Sequence, residues 1–148
     1  MLTVPPLYPL LLSFAAIITC VITDLKRQRI YPLTCLIFSF LSILDPQKNY
    51  LTACGSAFLG FFPLFIMALF GSGGGGDALL AGALGFILPF RFSAYMFLTA
   101  SLLYIVVLAF LVWKKKNRKL QLPYAPFLGA GWLTVLIVSL FSNGGATL

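Results

Sequence analysis

The sequence predicts an all-α fold: a polytopic membrane bundle of about six transmembrane helices, forming one membrane-embedded domain over residues 1–148. Three features of the composition predict it. Hydrophobic residues make up 61% of the chain, its mean hydropathy is +1.04, and only 9% of its residues are charged. In a soluble domain, roughly a quarter of the residues are charged. So apolar a chain cannot cover itself with a surface suited to water, and it needs lipid as its solvent.

Six apolar segments are separated by polar, glycine or proline residues. They cover residues 7–23, 31–44, 50–70, 78–88, 93–113 and 122–141. At about 1.5 Å of rise per residue, the third and fifth segments can each cross a bilayer unaided. The second and fourth segments are shorter, and by length alone the fourth fits a re-entrant segment as well as a crossing.

The charges of the loops decide between these arrangements. With six crossings and both termini outside, the outer loops hold Lys48 and Arg91, and the inner loops hold Lys26, Arg27, Arg29, Lys114, Lys115, Lys116, Arg118 and Lys119. This bias agrees with the positive-inside rule, whereas a re-entrant fourth segment would place the two basic inner loops on opposite sides. We therefore expect a multi-pass protein of the inner (cytoplasmic) membrane.

The net charge of +7 does not indicate a nucleic-acid partner. The basic residues lie in short loops between apolar segments, where anionic headgroups attract them. The lipid bilayer is the partner that this pattern predicts, and we expect no nucleic acid to bind.

The acidic residues are informative because the chain has only three and no histidine. Asp45 lies in an outer turn and is interpreted as a solvated turn residue. Asp24 ends the first apolar segment and Asp77 begins the fourth, so both are predicted at the cytoplasmic boundary of the membrane. An acid at membrane depth is costly and is a functional candidate. The structural alternatives are that Lys26 or Arg27 neutralises Asp24 and that Asp77 caps a helix.

A glycine run at residues 71–76 leads directly into Asp77. Glycine adopts positive φ and allows another backbone to approach closely. Irregular backbone at membrane depth is tolerated where it is buried in protein or lines a wet cavity. We therefore expect Gly74, Gly75 and Gly76 to form a loop that supports the site or binds an extended peptide. The alternative is a flexible linker.

Two carboxylates and one water are sufficient to hydrolyse a peptide bond, with one carboxyl ionised and the other protonated. No cofactor and no metal are expected. Cys20, Cys35 and Cys54 lie singly in apolar segments and are interpreted as small buried apolar residues rather than metal ligands. Tyr124, near a segment end, is interpreted as an anchor at the membrane interface.

The segment from Gly74 to Asp77 resembles the GxGD signature of intramembrane aspartyl peptidases. The order of three features resembles type IV prepilin peptidases: Asp24 before a basic loop, then GxGD, then the proline-rich residues 122–129. The resemblance implies an aspartic endopeptidase that removes the short cytoplasmic leader of prepilin-like or pseudopilin precursors. It also implies that Asp24 and Asp77 are the catalytic residues, with the active site facing the cytoplasm.

Two positions depart from the pattern of that family. Tyr31 separates Ile30 from Pro32, where the family usually has Ile-Pro-Asn, and Leu79 stands where a lysine is common. The alternatives are a catalytically inactive relative and a small proton- or cation-coupled transporter. A transporter tends to have ionisable groups at the membrane midplane and inverted repeats.

Overall fold

The computed structural model describes residues 5–27, 31–46, 48–69, 74–115 and 124–144. Within these ranges all regular structure is helical, which confirms the predicted all-α membrane bundle. The α-helices are α1 (Leu7–Arg27), α2 (Pro32–Leu41), α3 (Tyr50–Leu69), α4 (Gly75–Ile87), α5 (Phe90–Lys115) and α6 (Ala125–Gly144), and a 3-10 turn (Ser42–Leu44) follows α2.

The helices fall into two length classes. α1, α3, α5 and α6 are long and apolar enough to cross a membrane, whereas α2 and α4 are shorter apolar helices. α4 is short, but it packs against each of the other five helices described. Leu80, Ala81 and Leu84 on α4 have no exposed surface. This helix is therefore the centre of the bundle, and other helices rather than lipid surround most of it.

Small residues bring α3 and α4 into close contact. A methyl group added to Gly85 would lie 2.7 Å from the Ser56 carbonyl carbon, and one added to Gly60 would lie 2.7 Å from the Ala81 carbonyl oxygen. Both distances are shorter than real Cβ contacts. The backbones of the two helices therefore approach as they do in membrane bundles that pack through small residues.

Contacts at the helix ends show how the helices alternate in direction. The Tyr8 hydroxyl, at the start of α1, donates a hydrogen bond of 2.7 Å to the Leu41 carbonyl at the end of α2. Lys48, just before α3, places its Nζ 3.7 Å from the centroid of the Phe86 ring near the end of α4. These helix ends form one end of the bundle, and the end of α1 and the starts of α4 and α6 form the other.

A buried polar contact joins α1 to α6. Trp132 Nε1 donates a hydrogen bond of 3.0 Å to Ser13 Oγ, and the Phe14 and Trp132 ring centroids are 5.6 Å apart. Ser13 has no exposed surface. Large apolar side chains cover the outside of the bundle instead, as a protein in lipid requires.

Two expectations about single residues were wrong. Cys54 is exposed, unlike Cys20 and Cys35, because its position on α3 faces outward, where lipid accepts an apolar thiol. Tyr124 is only 7% exposed and is not an interface anchor. Its hydroxyl lies 3.0 Å from Ser101 Oγ inside the bundle, so a polar partner is available without water.

The arrangement of helix ends predicts the topology in a membrane. Topology reporters fused after Arg29 and after Gly74 should report the same side, because the end of α1 and the start of α4 meet, and the basic inner loops predict that this side is the cytoplasm. A reporter fused after Lys48 should report the outside. Reporters after Arg29 and Gly74 that fell on opposite sides would contradict both the topology and the meeting of Asp24 with Asp77.

The α3–α4 contact predicts a difference between two glycine-to-alanine substitutions. Gly85→Ala should lower the free energy of unfolding by about 1–3 kcal/mol, because its methyl group would clash with the Ser56 backbone of α3, which can move only by shifting that helix. Gly55→Ala is the control, since a Cβ there has nothing within 4 Å and alanine favours the helix. Thermal unfolding in detergent measures both, and equal stability of the two variants would contradict the close packing.

Candidate active site

Asp24 lies in the last turn of α1 and is 6% exposed. Its carboxyl faces the backbone N–H of Ala125, the first residue of α6. One carboxyl oxygen, Oδ2, is buried and has no hydrogen-bond partner within the described part of the chain. The side chains of Lys26 and Arg27, the predicted neutralising partners, lie outside what the structure describes.

Asp77 is the third residue of α4, whose N-cap is Gly74. The Asp77 N–H donates to the Gly74 carbonyl at 3.0 Å, and the carboxyl faces the backbone N–H groups of Gly74 and Tyr124. In one half of a capping box, the side chain of the third helical residue accepts a hydrogen bond from the backbone N–H of the N-cap residue. Asp77 and Gly74 are placed in this way. The predicted capping role of Asp77 is therefore realised in its geometry.

The two acids come together although they belong to different helices. Asp24 and Asp77 are close enough for the charge of one to act on the other. Both also face the start of α6, where Tyr124 and Ala125 present backbone N–H groups. A helix start carries a partial positive charge and unpaired N–H donors, so it favours negative charge at this point.

The glycine run differs from the expected loop. Residues 71–73 lie outside the described residues. Gly74 has extended backbone with φ −82° and ψ 129°, and Gly75 and Gly76 belong to the first turn of α4. The expected loop is therefore wrong for Gly75 and Gly76, which are helical, and Gly74 does not have the positive φ that glycine allows.

A glycine is needed at position 74 because it has no side chain, and not because of its backbone φ. A methyl group on Gly74 would lie 3.2 Å from Asp77 Oδ2, which is tighter than most Cβ contacts. The same group on Gly75 would meet nothing within 4 Å. The absence of a Cβ at Gly74 therefore leaves room for the Asp77 carboxyl to fold back over the start of α4.

Aromatic side chains form one wall beside Asp77. The Tyr104 ring meets the Tyr124 and Phe127 rings edge-on, with centroid distances of 5.3 Å in both pairs. Asp77 lies within electrostatic reach of Tyr104 and Tyr124. The sequence analysis missed this wall, and the proline-rich segment that contains Tyr124 was the signal that could have indicated it.

Asp45 does not join the other two acids. It ends the 3-10 turn that follows α2, and its carbonyl accepts a hydrogen bond of 3.3 Å from the Lys48 N–H. It therefore lies at the opposite end of the bundle, in a turn as predicted.

Comparison with known proteins places the chain in a family. No curated protein and no solved structure matches it. Residues 10–112 match the model of the type IV leader peptidase family, a range that includes both Asp24 and Asp77 and ends before α6. The match covers more than half of the chain, and the chain belongs to the type IV leader peptidase family.

Proposed function

We propose that this protein is a membrane aspartyl endopeptidase that removes the short cytoplasmic leader of prepilin-like or pseudopilin precursors, with Asp24 and Asp77 as its catalytic residues. Membership of a leader peptidase family supports peptidase activity. The observation that carries the aspartyl mechanism is the convergence of two of the chain's three acids at the start of α6.

The chemistry depends on the closeness of the two carboxyls. Two carboxyls that share a site do not both ionise readily, so the pair holds one proton between them. The ionised carboxylate accepts a proton from water, and that water attacks the carbonyl carbon of the scissile peptide. The protonated carboxyl donates to the developing oxyanion. The proton belongs to the pair, and each carboxyl serves in turn as base and acid.

The surroundings of the pair support a single negative charge. The N–H groups of Tyr124 and Ala125 and the positive ends of α4 and α6 stabilise one carboxylate. A second charge would be repelled by the first, and on Asp24 it would leave Oδ2 buried without a hydrogen-bond partner among the described residues. A buried polar atom without a hydrogen bond is costly and points to a functional role.

The position of the pair suits a substrate that is itself a membrane protein. The acids lie at one end of the bundle, where the start of α4 follows the glycine run. A leader peptide can reach this end from the cytoplasm in extended form, while the apolar segment behind it stays in lipid. This position fits a transporter less well, because the acids do not lie midway along the helices.

Replacement of either acid by asparagine tests the mechanism. Asp24→Asn and Asp77→Asn each keep the shape of the side chain, and asparagine caps a helix about as well as aspartate. Each change alone should lower precursor cleavage by at least about a hundredfold, because acid–base catalysis is lost. The double variant should cleave only slightly more slowly than either single variant, because the effects of substitutions at residues that act as one unit do not add.

The measurement is conversion of a co-expressed prepilin-like precursor, followed as a size shift, with the amount of each variant in the membrane checked alongside. Asp45→Asn is the matched control and should cleave like the unchanged chain, because Asp45 lies at the other end of the bundle. Robust cleavage by either single variant would end the aspartyl assignment and leave the transporter to be tested.

Gly74 has no Cβ, which leaves room for the Asp77 carboxyl, and filling that room gives a second test of the mechanism. Gly74→Ala should lower cleavage by roughly tenfold without affecting membrane insertion, because its methyl group displaces the Asp77 carboxyl and small misplacements of a catalytic group are costly. Gly75→Ala is the control and should cleave normally.

Gly74→Ser separates positioning from helix capping. Serine restores a good N-cap but keeps the Cβ, so the loss should persist if the Asp77 position matters. Full recovery in Gly74→Ser would show that only the cap was at fault.

A further inference from the structure

Tyr124 occupies the N-cap position of α6, and its backbone determines which amide groups this helix start can offer to a partner. Its carbonyl accepts hydrogen bonds of 3.0 Å from the Phe127 N–H and 3.2 Å from the Leu128 N–H. Pro126 has no N–H. Within the described residues, the N–H groups of Tyr124 and Ala125 are therefore the two donors that the start of α6 leaves for a partner outside the helix.

Each of these two donors faces one of the proposed catalytic residues. The Ala125 N–H faces the Asp24 carboxyl, and the Tyr124 N–H faces the Asp77 carboxyl. The two N–H groups belong to the peptide planes on either side of the Tyr124 Cα, so a rotation of the Tyr124 backbone would turn both of them. A contact that fixes Tyr124 therefore also fixes the hydrogen-bond donors of the acid pair.

The side chain of Tyr124 is held by α5 through one polar contact and one aromatic contact. Its hydroxyl lies 3.0 Å from Ser101 Oγ, and its ring meets the Tyr104 ring edge-on at a centroid distance of 5.3 Å. Ser101 and Tyr104 lie three residues apart on α5 and so face the same side of that helix. Because Tyr124 is almost fully buried, its hydroxyl has Ser101 rather than bulk water as its partner.

Ser101 differs from other hydroxyl residues of the bundle. Inside a helix, a hydroxyl commonly bonds back to a carbonyl of the same helix. Ser93, Thr99 and Ser139 each donate to a carbonyl in the preceding turn of their own helix. Ser101 instead pairs with Tyr124, 23 residues further along the chain. Its hydroxyl therefore joins α5 to the start of α6.

We propose that Ser101 is a positioning residue of the peptidase: its hydrogen bond with the Tyr124 hydroxyl holds the Tyr124 and Ala125 N–H groups against the two acids. The inference rests on the proposed function. Without this bond the Tyr124 side chain is held by its ring contact alone. The two N–H groups then keep their direction less well, and the ionised carboxyl is stabilised less.

Removal of either hydroxyl tests the inference in the full chain, reconstituted in lipid nanodiscs and given a purified prepilin-like precursor. Ser101→Ala and Tyr124→Phe should each lower kcat about tenfold and leave KM within about twofold, because the bond positions the acids rather than the precursor. The acidic limb of the pH–rate profile should move to higher pH, since hydrogen bonds to a carboxylate favour its ionised form. The double variant should cleave about as slowly as either single variant, because both substitutions remove the same contact.

Two further variants serve as controls. Ser101→Thr keeps the hydroxyl and should recover most of the rate. Ser93→Ala makes the same change on the same helix, but its hydroxyl bonds the Phe90 carbonyl at 2.9 Å, so this variant should cleave like the unchanged chain. A loss in Ser101→Thr as large as in Ser101→Ala, an unchanged pH profile, or a rise of KM with kcat unchanged would each overturn the positioning role.

Amide hydrogen exchange tests the same contact without cleavage. The Tyr–Ala pair occurs once in the sequence, so isotope labels on the tyrosine carbonyl carbon and the alanine nitrogen give one NMR amide signal, that of Ala125. Its exchange should be at least about fivefold faster in Ser101→Ala than in the unchanged chain or in Ser93→Ala. Equal exchange in all three would overturn the inference, whatever the cleavage rates.

The two readouts separate this inference from the proposed function. Normal cleavage by Ser101→Ala, in a chain that Asp24→Asn and Asp77→Asn inactivate, would overturn the positioning role and leave the peptidase standing. Faster exchange at Ala125, in a chain that still cleaves after either acid is replaced, would uphold the hold of Ser101 on α6 and count against the catalytic pair.

Discussion

The structure depends on the close backbone contact between α3 and α4. Lipid gives apolar side chains no hydrophobic reason to associate, so membrane helices are held by close packing and by polar contacts. Gly60 and Gly85 provide that closeness on facing helices. Larger residues would hold α4 away from α3 and loosen the packing of the short central helix. Asp77 would then leave its place, because it stands at the start of this helix.

The site is assembled from helix ends rather than from loops. The end of α1 supplies Asp24, the start of α4 supplies Asp77, and the start of α6 supplies backbone N–H donors. The same N–H groups that a helix must leave unpaired serve to stabilise a carboxylate pair. Rigid helices fix these groups, so the geometry of the site is determined by the packing of the bundle.

Composition and local pattern were sufficient to predict the helices and the proximity of two of the acids. Six apolar segments correspond to six helices, and the scarcity of acids pointed to Asp24 and Asp77. Features that depend on tertiary partners could not be predicted in this way. Tyr124 resembles an interface anchor until Ser101 on another helix provides its partner. The helical start at Gly75 was also missed, because glycine propensity favours a loop while α4 is stabilised by packing.

The two acids do not carry equal weight as evidence for catalysis. Asp77 has a structural task in its cap contact with Gly74, which would justify an acid there in an inactive relative as well. Asp24 lies at the end of α1, where the helix dipole disfavours negative charge, and it is almost fully buried. Its carboxyl faces the backbone N–H of Ala125 at the start of α6, but its Oδ2 has no hydrogen-bond partner among the described residues, so this contact offsets only part of the cost of burial. Asp24 is therefore the stronger support for the proposed catalytic role of the pair.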